Sequence, residues 1–258
     1  MTSGAGYSFG AATESPRRFY GSRLCGGRRT EKETQMLIAG FRKTSFIDYP
    51  GQPCAVVFTP YCNMNCSYCH NEQILRGDVP LISEDEVMDY LEKRAGLLKA
   101  VTISGGEPTL QQNLIPFIET VKTLGYAVKL DTNGSKPDVL RELLQKKLLD
   151  YVAMDIKASP ERYDEVTRVK NDLDAIRRSI TLLRNSGVEH EFRTTFAPEL
   201  TTEDVVKAAE LVKGTERFYL QQYRPRHEGD PDAHVPSYVR ETAAAVETAV
   251  GVCTVRGL

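Results

Sequence analysis

The chain has 258 residues, 41% hydrophobic and 26% charged, enough for one large α/β domain or two small ones around a sizeable core. With 33 basic against 35 acidic side chains and a net charge of −2, it does not read as a nucleic-acid binder that works by broad charge neutralisation. No run of about 18 apolar residues predicts a membrane span, and six unevenly placed cysteines point to a reducing cytoplasmic setting rather than a secreted disulfide framework.

Residues 1–35 are rich in Gly, Ser and Arg and lack apolar periodicity, which reads as a disordered or appended leader. Patterned sequence starts at Met36, so residues 36–258 are expected to form the single folded domain. The first strand candidate is Cys54–Thr59. Directly after it come Cys62, Cys66, Cys69 and His70 in Cys-Asn-Met-Asn-Cys-Ser-Tyr-Cys-His-Asn. Zinc sites usually pair cysteines as CxxC and close a tetrahedron with a fourth ligand. Here one loop supplies three thiolates and no second CxxC exists. A cubane [4Fe–4S] cluster normally takes four thiolates, so three leave one iron open to an exogenous ligand. The competing reading is a zinc knuckle completed by His70, Cys54 or Cys253.

A capping box, Ser83 to Glu86, opens the next helix, and Gly96 suits its far end. The strand Ala100–Ser104 runs into Ser-Gly-Gly-Glu-Pro, where Gly105 and Gly106 let the backbone approach a ligand closely and Glu107 adds a negative charge. A tight strand-to-helix turn would look the same. The strand Tyr126–Leu130 precedes Asp131-Thr-Asn-Gly134, which is also good turn chemistry, and Pro137 fits a first helical turn. The strand Tyr151–Asp155 leads to Asp155-Ile-Lys157, either a site pair or a solvated one. Leu173, Ile176, Ile180 and Leu183 form an apolar helical stripe ending at Gly187. The strand Glu191–Phe196 carries Arg193, suited to a ligand carboxylate or to a core acid. Thr202 and Gly214 bracket a further helix. On the last strand, Arg217–Tyr223, one of Gln221 and Gln222 points inward by alternation.

Six strand–helix repeats, most strands apolar on both faces, predict a parallel α/β fold. An open six-unit barrel and a doubly wound sheet both fit this count. The CxxxCxxC loop with an aromatic before its last cysteine resembles the radical S-adenosylmethionine (SAM) superfamily, and the resemblance covers residues 36–258. It implies a partial (β/α)6 TIM-like barrel, α/β in class. It also implies one [4Fe–4S] cluster on Cys62, Cys66 and Cys69, with SAM chelating the open iron. Gly105, Gly106 and Glu107 would then meet the SAM amino group, and Lys157 and Arg193 the rest of its polar end. Asp131 and Asp155 would touch SAM or hold a monovalent cation. Tyr68 would lie along the adenine or simply pack, and Gln221 and His70 would complete the site.

The set Phe46-Ile-Asp-Tyr-Pro, Cys-His-Asn, Lys-Leu-Asp-Thr-Asn-Gly, Met-Asp-Ile-Lys and Glu-Phe-Arg-Thr-Thr is similar to the longer type of anaerobic ribonucleoside-triphosphate reductase activating proteins. That resemblance implies glycine hydrogen abstraction on a glycyl radical enzyme, the reductase first, with a flavodoxin or ferredoxin as electron donor. His70 departs from the short activators, which have tyrosine there, and matches formate-lyase activases. A radical SAM enzyme acting on a small molecule or nucleotide is the other expectation.

Overall fold

Eight strands form one sheet in strict sequence order in the computed structural model, which describes residues 35–225 and 228–258. The expected leader, Cys25 included, lies outside these residues except for Gln35. β1 (Gly40–Ser45) is antiparallel to β2 (Cys54–Thr59). From β2 onward every neighbour is parallel: β3 (Ala100–Gly105), β4 (Ala127–Thr132), β5 (Tyr151–Asp155), β6 (Glu189–Phe196), β7 (Phe218–Gln222) and β8 (Cys253–Arg256). A doubly wound sheet reverses its strand order at a switch point. This one does not, and no pairing among the described residues joins β8 to β1. The architecture is an open, partial TIM-like barrel. Its six expected strands are β2 to β7, with β2 and β5 at the predicted bounds. β1 and β8 are additions to the expected count.

The helices follow the same sequence logic. α1 (Glu72–Arg76), α2 (Glu84–Arg94), α3 (Leu114–Thr123), α4 (Pro137–Gln145), α5 (Tyr163–Thr167), α6 (Leu173–Ser186), α7 (Thr202–Glu210) and α8 (Pro236–Val246) connect the strands. α6 buries Ile176, Ile180 and Leu183 and stops at left-handed Gly187, as its stripe predicts, while Leu173 is only half-buried. The Ser83 capping box does not form. Ser83 is the N-cap of α2 but its side chain makes no capping bond, and Glu84 instead accepts the Met36 N–H. The full box sits on α7, where Thr201 and Asp204 satisfy each other's free backbone N–H.

Barrel strands alternate their side chains between the barrel interior and the outer face that the helices cover. At the starting ends of the strands, Tyr49, Cys54, Val56, Ala100 and Tyr151 pack as one apolar floor, with the Tyr49 and Tyr151 rings 6.0 Å apart. One layer up, fully buried Glu191 accepts the Tyr151 hydroxyl at 2.7 Å and both arms of Arg256 at 2.6 and 2.9 Å. The Arg256 guanidinium lies 3.4 Å from the Tyr219 ring centroid. The polar groups that remain are delivered to the carboxyl ends, where parallel barrels build their sites.

Candidate functional site

The carboxyl ends of β2 to β7 open into one cavity that all three loop cysteines line. The loop carrying them is held by backbone bonds on two sides. Asn65 and Ser67 donate to the Thr167 and Val166 carbonyls of α5 at 2.9 and 3.1 Å, and Tyr61 donates to the Ile74 carbonyl at 2.9 Å. Tyr61 adopts φ +66°, left-handed territory that a tyrosine occupies at a cost.

The paired glycines explain how the next loop reaches the first. Gly106 donates to the Thr59 carbonyl and Glu107 to the Tyr61 carbonyl, both at 2.8 Å. A Cβ on Gly105, which has φ +116°, would collide with the Thr59 backbone, and one on Gly106 with the Tyr61 carbonyl. Both glycines line the cavity, but the close approach they permit is to the cysteine loop. The ligand approach expected from sequence is not what makes glycine obligatory here.

Glu107 is fully buried and clamps β3 to β4. Its carboxylate accepts from the Thr109 N–H and hydroxyl, from the Thr132 hydroxyl at 2.7 Å and from the Asn133 N–H at 2.6 Å. Burial raises its pKa, and these four donors work against that rise.

Across the mouth runs a chain of alternating charge. Lys129 pairs with Asp131, Arg193 bridges Asp131 and Asp155, and Lys157 pairs with Asp155 at 2.8 Å. Burial pushes both aspartates up, but Arg193 and the lysines outweigh it and hold them below the usual carboxylate range. Arg193 therefore meets core acids and also faces the cavity. The guanidinium thus bridges the two aspartates that were expected to touch SAM or hold a monovalent cation. Three cations against two carboxylates leave the chain with one excess positive charge, suited to a ligand carboxylate.

Tyr68 is buried, with Lys157 Nζ 5.9 Å from its ring centroid, and its hydroxyl has no hydrogen-bond partner among the described residues. His70 lines the cavity, its ring 6.0 Å from Tyr223. Gln221 faces the cavity, whereas Gln222 turns away and donates to the His234 carbonyl at 2.7 Å. The structure also brings in Ser104, Thr132, Asn133 and Thr195, and seats Lys129 beneath them. Asn133 stood in the quoted Asp-Thr-Asn-Gly motif, and Thr195 is two residues from Arg193 on the same strand face. Those were the available signals.

Cys54 lies in the barrel floor and Cys253 on β8, and neither lines the cavity, so neither completes a zinc tetrahedron there. No three Cys, His, Asp or Glu among the described residues converge on a single-ion position. Three thiols spread around one cavity fit a cluster whose irons each take a separate thiolate, and do not fit a lone ion. Burial pushes the Cys62 thiol up to about 12 and raises that of Cys66. Metal binding there would release these protons, because the ligand is the thiolate.

Comparison with known proteins gives a consistent result. The model of the radical SAM superfamily matches residues 56–212. A Methanocaldococcus jannaschii protein, provisionally named a glycyl-radical enzyme activating enzyme, is 36% identical over 202 residues, covering 76% of this chain and 83% of its own length. A 7-carboxy-7-deazaguanine synthase from Koribacter versatilis is 40% identical over 92 residues, 34% of this chain and 39% of that one. Among solved structures, a radical SAM methyltransferase from Sphaerobacter thermophilus superposes with a TM-score of 0.63 at 14% identity, over 83% of this chain and 68% of that one.

Proposed function

This chain belongs to the radical SAM superfamily, whose members use a [4Fe–4S] cluster and SAM, and on that premise we propose that it activates a glycyl radical enzyme. The carrying observation is the similarity to the M. jannaschii protein along most of both chains. Cys62, Cys66 and Cys69 would hold the cluster and leave one iron for SAM. When bound, the cluster would supply the electron for reductive SAM cleavage, the chemistry that would remove a hydrogen atom from a glycine Cα of the partner.

The chain's own residues bind and orient. Lys157 and Arg193, locked by Asp131 and Asp155, present fixed positive charge to the SAM carboxylate without reorganising when it arrives. Glu107 joins two strand ends and keeps Gly105 and Gly106 against the cysteine loop, with capacity left on Oε2 for the SAM ammonium. Tyr68 would pack along the adenine, and His70 and Gln221 would complete the wall. Anaerobic ribonucleotide reductase is our first partner, a formate-lyase type enzyme the second. The work belongs in the cytoplasm, with a flavodoxin or ferredoxin as reductant. No helix among the described residues is long and apolar enough to cross a membrane.

The deazaguanine synthase similarity favours a second reading, a radical SAM enzyme acting on a small molecule, although it spans only a third of this chain. The test mixes reconstituted protein, SAM and reductant with candidate reductases or lyases. A glycine-centred doublet in electron paramagnetic resonance is the expected result. SAM cleavage without a doublet on any candidate partner sinks the activase reading and leaves the family intact.

A further inference from the structure

Asn133 follows the end of β4, is 4% exposed, and has both ends of its side-chain amide committed. Its backbone N–H donates to Glu107 Oε2 at 2.6 Å. Its side-chain Oδ1 accepts the Ser135 N–H at 3.0 Å, which fixes which end of the amide is oxygen. The NH2 end must then face the cysteine loop. One of its two protons goes to Asn63 Oδ1 at 3.0 Å, and Asn63 is itself oriented by donating to Ser135 Oγ at 2.9 Å. The second proton is left to Cys62 Sγ, 3.8 Å from Nδ2 and within reach for a sulfur acceptor.

We propose that Asn133 is a positioning residue that donates a hydrogen bond to the Cys62 thiolate and so raises the reduction potential of the cluster that this cysteine holds. The proposal rests on Cys62 being a cluster ligand. Cluster potentials respond to hydrogen bonds on their sulfurs, because a donor stabilises the added negative charge of the reduced state. Backbone donors of the loop also reach these sulfurs, among them the N–H of Met64 on Cys62 and of Asn71 on Cys69, both at 3.4 Å. They belong to the loop itself and cannot be changed by a side-chain substitution. Asn133 is the contribution from another strand, and the Asn63–Asn133–Ser135 ring holds it in one orientation. The same ring ties the residue after Cys62 to the turn after β4, so the donor and its sulfur move together.

The test measures the midpoint potential of the reconstituted holoprotein without SAM, by titration followed through the signal of the reduced cluster. Asn133→Ala removes the donor. Asn133→Asp keeps an oxygen for the Ser135 N–H but places a negative charge near Cys62. We expect iron content near wild type in both variants and a lower midpoint in both, with N133D falling further than N133A. A tenfold loss in the reduction equilibrium constant, about 59 mV for one electron, is the expected size for N133A. Unchanged midpoints with full iron content overturn the proposal, as does iron loss with an unchanged midpoint in the fraction that remains loaded. Should neither variant load iron, wild-type protein carrying 15N only in asparagine side-chain amides decides. A hyperfine coupling from such a nitrogen to the reduced cluster that N63A retains supports the proposal, and its absence overturns it. A wild-type protein that assembles no cluster would instead sink the metal site itself.

Discussion

At the scale of single residues, the site combines satisfied charges with one unsatisfied group. The buried Tyr68 hydroxyl has no hydrogen-bond partner among the described residues, a state that costs about 1–3 kcal/mol. Tyr68→Phe should therefore leave the ligand-free protein as stable or slightly more stable in urea, and weaken SAM binding if the ligand supplies the missing partner. Equal SAM affinity in the two proteins would remove the hydroxyl from the site. The aspartates give a pH prediction. Arg193 and the lysines hold Asp131 and Asp155 below their ordinary pKa against the pull of burial. An acid lowered on folding contributes stability that is present above its unfolded pKa, about 3.9, and is lost as pH falls through the lower folded value. Glu107 runs the other way, since burial raises it and folding gains as that carboxylate takes up its proton. Urea midpoints should accordingly hold up towards pH ~5 and drop below pH ~4. Arg193→Gln should start lower at neutral pH and show a shallower acid drop. An identical drop would mean that other groups carry it.

At the scale of elements, β8 is joined to the barrel by its ladder to β7 and, across the interior, by one arginine. Glu191 is 1% exposed and Arg256 supplies two of its three donors. Arg256→Ala leaves that buried carboxylate with Tyr151 alone and should cost about 1–3 kcal/mol in urea unfolding, the range for a buried acceptor losing donors. A change within about 0.5 kcal/mol, typical of surface substitutions, would show that β8 is held by its ladder. Neither β1 nor β8 was legible in the sequence. Gly-Phe-Arg-Lys-Thr-Ser is an edge strand whose middle residues face solvent, and Cys-Thr-Val-Arg is only four residues long, in a stretch bounded by Gly251 and Gly257. Each becomes a strand only because a neighbour offers its free edge. β2 and β5 were readable because burial on both faces demands an unbroken apolar run. The cysteine loop was readable because its chemistry is contiguous. Lys129, Asn133 and Thr195 were not, since their roles depend on which residues other strands place opposite them. The Ser83 box does not form, since the Ser83 side chain makes no capping bond although it stands at the N-cap.

At the scale of the molecule, an ordered barrel accounts for every site residue described. We therefore expect that deleting residues 1–34 leaves the melting temperature and the iron content after reconstitution unchanged. A deletion variant that cannot load iron would make that segment part of the working protein. The floor of the barrel sets a further condition. With Tyr49 and Tyr151 packed into the floor at the starting ends of the strands, the site cavity opens at their carboxyl ends. A macromolecular partner resting on that mouth would shut the small cosubstrate in and its spent fragments with it. Turnover would then obey a queue, with SAM admitted first, the partner second, and nothing released until the partner lifts away.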